Sequence, residues 1–318
     1  MTLWTDLLGA EISYVDAGGV PTRTVSLGSG PAVLLLHGRG GHLETFARNL
    51  TAVAAAGRRA IACDLLGHGL TGRASGSGYT IRELADHVQT VLDALDLAEA
   101  DLVGQSLGGW AAALTALDAP RRVRRLVLIE PAGLQSEAER LADSTVRAAY
   151  RRGGRAYEEP TAEAVRTRLA GLLADPGSAD DELVEVRTRL YAPSEARDVH
   201  RRVRAADNTP WLLTPDRLAE LSVPTLFLRG ERGHTPPDVV EAAARAMPDA
   251  TVVTVPGAKQ WPQFERPRQV NALLNRFLEE PQEPQELTEP QELTEPQELT
   301  EPEEPAELEE GKTDVVLD

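Results

Sequence analysis

Ser106 stands in Leu102-Val-Gly-Gln-Ser-Leu-Gly-Gly-Trp110, which reads as a short apolar strand, a Gly-x-Ser-x-Gly turn and an alanine-rich helix from about Leu107 to Ala119. A serine on such a strand-to-helix turn is lifted clear of the sheet. It meets the positive end of a helix and the free N–H of the next residue. Gly104 and Gly108 let the neighbouring backbone approach closely. The chemistry this suits is attack of a hydroxyl on a carbonyl carbon, which requires a base to take the proton. Other candidates for chemistry are His37, Asp64 and Glu130, each at the end of an apolar run, and His234 and Lys259 in later loops. The six histidines are scattered without ligand-like pairing, so no metal is expected. Gly38-Arg-Gly40-Gly41 lacks the spacing of a dinucleotide loop, and no cofactor is expected.

The elements that must position these residues alternate. Ile12–Val15 and Thr22–Leu27 flank Gly18-Gly19, a hairpin signal. Ala32–Leu36 and Ala60–Cys63 are continuous apolar runs of the buried-strand type, with a helix between them from about Leu43 to Ala56. Thr80 with Glu83 forms a capping box that opens a helix to about Leu95. After the serine turn come a strand at Leu126–Ile129, an interruption, a strand at Val223–Leu228, a helix at Pro237–Ala246, a strand at Thr251–Val255 and a helix at Arg268–Leu278. Such alternation implies an α/β fold, a mostly parallel sheet with helices on both faces. Ligands bind such sheets beyond the carboxyl ends of the strands, so His37, Asp64, Ser106 and Glu130 should share one rim. The interruption, 134–216, is helical and rich in arginine and acids. It reads as a cap between core segments 1–133 and 217–278, its arginines mostly salt-bridged at the surface with one or two free to bind a carboxylate.

The formal charge of −17 comes almost wholly from residues 279–318, which hold 16 acidic residues and one lysine. There Pro-Gln-Glu-Leu-Thr-Glu occurs three times in register from Pro284 to Glu301, a composition expected to stay disordered. No basic stripe with aromatics suggests nucleic acid, no apolar run suggests a membrane span, and the start has no secretory pattern. Cys63 is the single cysteine. A cytoplasmic protein acting on a small molecule is expected, with homodimerisation left open.

With these motifs in hand the chain resembles the α/β-hydrolase superfamily over about 11–278. His37-Gly38 after a strand, Asp64-x-x-Gly67-His68-Gly69 and Gly104-x-Ser106-x-Gly108 carry the resemblance, and Gly41-His42-Leu43-Glu44 and Gly108-Gly109-Trp110 are most similar to the branch of meta-cleavage-product hydrolases and small esterases. It implies that Ser106 is the nucleophile and that the N–H groups of Arg39 and Leu107 form the oxyanion hole. His37, Gly38, His42, Gln105, Gln260 and Trp261 would border the substrate, with His37 also tying its loop. It further implies an acid after the strand ending at Leu228 and a histidine after the strand ending at Val255. The first position falls on Gly233 and the second on Gln260.

Three readings follow. One is a rebuilt acyl hydrolase or acyltransferase for a carboxylate- or thioester-bearing substrate, in which His234 with Glu130, or Lys259, serves Ser106. A second is a lyase, isomerase or cyclase that reuses the pocket and its oxyanion donors. The third is a ligand-binding protein without turnover.

Overall fold

The computed structural model describes residues 2–279, so the expectation of disorder for the acidic tail lies, beyond Glu279, outside the described residues. Eight strands form one sheet in the order β1-β2-β4-β3-β5-β6-β7-β8. They are β1 (Glu11–Asp16), β2 (Pro21–Leu27), β3 (Ala32–Leu36), β4 (Arg59–Cys63), β5 (Ala100–Gln105), β6 (Val123–Ile129), β7 (Thr225–Gly230) and β8 (Ala250–Val255). The β1–β2 and β2–β4 pairs are antiparallel, and all others are parallel. The helices are α1 (Leu3–Asp6), α2 (Ala47–Ala55), α3 (Ile81–Ala94), α4 (Leu107–Asp118), α5 (Glu137–Ala142), α6 (Ser144–Glu158), α7 (Ala162–Leu172), α8 (Asp181–Tyr191), α9 (Ser194–Ala205), α10 (Pro215–Glu220), α11 (Pro237–Ala246), α12 (Pro262–Glu265) and α13 (Pro267–Leu278).

Burial on both sheet faces explains the continuous apolar runs. Along β3, Leu34 and Leu36 pack with residues of α3 and α4, whereas Val33 and Leu35 pack with residues of α2 and α13. Thr80 caps α3 as its sequence implies, accepting from the Glu83 N–H while Glu83 accepts from the Thr80 N–H. The helix expected from Leu43 begins instead as a 3-10 turn, Leu43–Phe46, ahead of α2, and the Leu43 N–H is taken by Asp64 Oδ1.

Between β6 and β7 the chain forms α5 to α10. Val165, Leu169, Leu183, Val184 and Tyr191 of α7 and α8 bury against Ala47, Trp261 and Phe264. Two arginines depart from the expected solvated surface. Arg187 is fully buried on the apolar face of α8 and Arg168 is buried on that of α7. Exposed pairs such as Arg189–Glu185 and Arg201–Glu158 follow the expectation.

Candidate active site

Ser106 joins β5 to α4 at φ 50° and ψ −111°, left-handed backbone for a residue with a Cβ. Such a conformation costs about 1–3 kcal/mol and persists only where its surroundings impose it. The Ser106 N–H donates to Ile129 O, and its carbonyl accepts from the Trp110 and Ala132 N–H groups. A Cβ at Gly108 would lie 2.3 Å from Leu36 O, so the start of α4 packs on the end of β3 only because that residue is glycine. A Cβ at Gly38 would lie 3.1 Å from Ser106 Cβ and 2.2 Å from Gln105 Oε1. The loop after β3 therefore rests on the serine itself, with Arg39 next in chain.

Above Ser106 lies a cavity of about 290 Å³. Arg39, Gln105, Leu107, His234, Gln260 and Trp261 line it, and Arg140, Tyr150, Arg168 and His200 line it from α5, α6, α7 and α9. Three of its arginines are engaged. Arg39 pairs with Glu137 at 3.0 Å, Arg168 donates to Gly153 O and Arg39 O, and Arg204 donates to Tyr150 O. The Arg140 guanidinium has neither a hydrogen bond nor an ion pair among the described residues.

Glu130 follows β6 at φ 45° and is 1% exposed. Its carboxylate accepts from the Gly230 N–H at 2.7 Å and the His234 N–H at 3.2 Å. Burial pushes it up to about 7, against the pull of those donors. A Cβ at Gly233 would stand 1.9 Å from Glu130 Oε1, so the Glu130 carboxylate fills the space a side chain there would need. Gln260 is buried beside it. Its Nε2 donates to Glu130 O at 3.4 Å, its Oε1 accepts from the His234 N–H at 3.3 Å, and its carbonyl accepts from Gln105 Nε2 at 3.1 Å.

Glu130 and His234 thus meet through the main chain of His234 and not through its ring, unlike the relay envisaged from sequence. The ring lies against the Gly171 carbonyl, and its Nε2 is buried without a hydrogen-bond partner. Burial, aided by Lys259 and Arg140, brings His234 down to about 4, so it is neutral at pH 7. The Ser106 hydroxyl makes no hydrogen bond to any described residue.

Against known proteins, the family model described as the alpha/beta hydrolase fold matches residues 31–267. The chain belongs to that family. A 2-hydroxymuconate semialdehyde hydrolase of a Pseudomonas species is 32% identical over 249 residues, covering 77% of this chain and 75% of that protein. A 2-hydroxy-6-oxo-2,4-heptadienoate hydrolase of Pseudomonas putida is 29% identical, covering 85% and 98%. The dihydrolipoyllysine-residue acetyltransferase component of an acetoin cleaving system, also of Pseudomonas putida, is 31% identical, covering 85% and 70%. Among solved structures, a meta-cleavage product hydrolase from Pseudomonas fluorescens has a TM-score of 0.71 at 25% identity, covering 84% of this chain and 96% of that one.

Within this alpha/beta hydrolase fold, His37, Gly38 and His42 do not border the cavity, contrary to the expectation from sequence. His37 Nε2 accepts from the Leu65 N–H at 3.0 Å, which leaves Nδ1–H to donate to Gly38 O at 2.8 Å. Complete burial holds its pKa far below the usual imidazole value, so this neutral tautomer is the stable one. His42 is buried between Glu44, at 2.6 Å, and Arg187, at 3.2 Å. Lys259 does not line the cavity either; burial and Arg152 lower its pKa. Reading the sequence alone overlooked Arg140 and Arg168. For Arg168 a signal existed, since it falls with Val165 and Leu169 on one helical stripe.

No helix among the described residues is long and apolar enough to cross a membrane. No group of three His, Cys, Asp or Glu side chains among them is placed to hold a metal.

Proposed function

We propose that this alpha/beta hydrolase performs acyl chemistry, hydrolysis or transfer, on a small carboxylate-bearing carbonyl compound held beneath the cap. Ser106 attacks the carbonyl carbon while the N–H groups of Leu107 and Arg39 receive the developing oxyanion. The strained backbone of Ser106 at the cavity floor carries this reading, because a conformation costing about 1–3 kcal/mol is held at the serine that borders the cavity between the end of β5 and the start of α4. His234, neutral and lining the same cavity with Nε2 free of partners, serves only as a weak base, its pKa brought down to about 4, which holds turnover well below that of a site with a basic imidazole. The acid and histidine positions of the ordinary triad are taken by the Glu130 carboxylate and the Gln260 amide. The unpaired Arg140 holds the carboxylate. Relatives named for oxo-dienoate hydrolysis combine a carbonyl and a carboxylate in one substrate, and the relative named for acetyl transfer supports the acyl step.

One observation favours a second reading, a non-hydrolytic enzyme or a ligand-binding protein that uses the same cavity. The Ser106 hydroxyl has no hydrogen-bonded base, and an amide cannot replace imidazole.

A fluorophosphonate probe decides between them. The first reading expects covalent labelling at Ser106 that is absent in Ser106→Ala, and protection by small carboxylates that is lost in Arg140→Gln. Ser106 left unlabelled at high probe concentration refutes the nucleophile, and activity surviving Ser106→Ala supports the second reading.

A further inference from the structure

Gly38 to Gly41 form a four-residue turn, closed by the Gly41 N–H donating to Gly38 O at 2.8 Å, with Gly40 at φ 65°. A positive φ only at the third residue is the type II pattern. Types I and II differ by rotation of the central peptide, here the one between Arg39 and Gly40. That peptide is the part of the turn free to flip. Both carbonyls flanking Gly40 are held from the cap: Arg168 Nη2 donates to Arg39 O at 2.9 Å, and Tyr191 Oη donates to Gly40 O at 2.5 Å. The cap also packs on Gly40 directly, since a Cβ there would lie 2.7 Å from Arg168 Nη2 and 3.1 Å from Tyr157 Oη.

We infer that Arg168 and Tyr191 are positioning residues that hold the oxyanion turn in its type II form, so that the cap sets the electrophile-binding geometry as well as covering the substrate. The physical chain is short. A trans peptide points its N–H opposite to its C=O. The Gly38 carbonyl is fixed by the Gly41 N–H and by His37 Nδ1–H, so the Arg39 N–H is directed the other way, from a loop that lies against Ser106. The central peptide is pinned from α7 through Arg39 O, and the peptide after it is pinned from α8 through Gly40 O, so residue 39 is held in place against Ser106. His37 therefore fixes the direction of the donor from the core side, and the two cap residues hold the rest of the turn that carries it. The inference rests on the reading of Ser106 as nucleophile.

The test uses the full chain and the fluorophosphonate reaction at Ser106, resolved into probe affinity and the limiting rate of bond formation. Tyr191→Phe keeps the ring that stacks on Tyr157 at 3.8 Å but removes the hydroxyl, and Arg168→Gln is the second variant. Removing one oxyanion donor outright costs roughly 10²–10³-fold, so loosening its support should slow bond formation at least about ten-fold. Probe affinity should stay within about two-fold, and amide hydrogen exchange across residues 38–42 should accelerate. Folded variants that label at the wild-type limiting rate overturn the positioning role and leave the nucleophile standing. A wild-type chain that the probe never labels overturns the nucleophile and this inference with it.

Discussion

Replacing Gln260 with histidine asks whether one side chain separates this site from an ordinary serine hydrolase. Position 260 borders the same cavity as Ser106, and its side chain already reaches the main chain of Glu130 and of His234. The carboxylate that an imidazole there needs stands in the space beside Gly233, with Oε1 1.9 Å from where a Cβ at that residue would lie. Glutamine and histidine side chains are of similar size, so Gln260→His should enter without a new void. A positioned general base contributes about 10²–10⁴-fold. A chromogenic ester should therefore be turned over at least ~10²-fold faster than by the wild type. The gain should rise with pH as the imidazole loses its proton, and it should vanish in the Ser106→Ala double variant. Steady-state release of the chromophore and the pre-steady-state burst measure it. A folded Gln260→His protein with unchanged turnover would refute the claim that Glu130 fills the acid slot. A gain that survives Ser106→Ala would refute attack by Ser106.

Placing an acid at position 233 should fail. In Gly233→Asp the new Cβ would overlap the Glu130 carboxylate and bring two carboxylates together, so thermal melting should fall, by more than the ~1–3 kcal/mol of ordinary overpacking. Pairing it with Glu130→Gly should recover part of the loss. The raised pKa of Glu130 makes stability depend on pH. Its folded value of about 7 lies above the ordinary 4.5, so its contribution is complete below pH 4.5 and is lost as pH rises through 7, by about 3 kcal/mol at full ionisation. Wild type should lose stability relative to Glu130→Gln between pH 5 and pH 8 in denaturant titrations; parallel curves would contradict the assigned burial.

The serine turn, the strand–helix alternation and the helical interruption were legible because they rest on local signals. These are glycine at a tight turn, apolar runs of strand length, and a capping threonine with its glutamate. Gly233 and Gln260 were likewise visible in the sequence, where the resemblance implied an acid and a histidine. Only the tertiary structure decided what occupies those positions. Glu130 comes beside Gly233 because β6 and β7 are neighbours with Ile129 opposite Leu228, a pairing across a hundred residues that no local pattern carries. The arginines between β6 and β7 look alike in sequence, yet Arg201 faces solvent, Arg187 is fully buried and Arg140 faces the cavity without a hydrogen bond or ion pair among the described residues. Hydrophobic periodicity assigns a residue to a face. Which polar groups then meet that face depends on how the helices pack, and that packing determines the charges around Ser106.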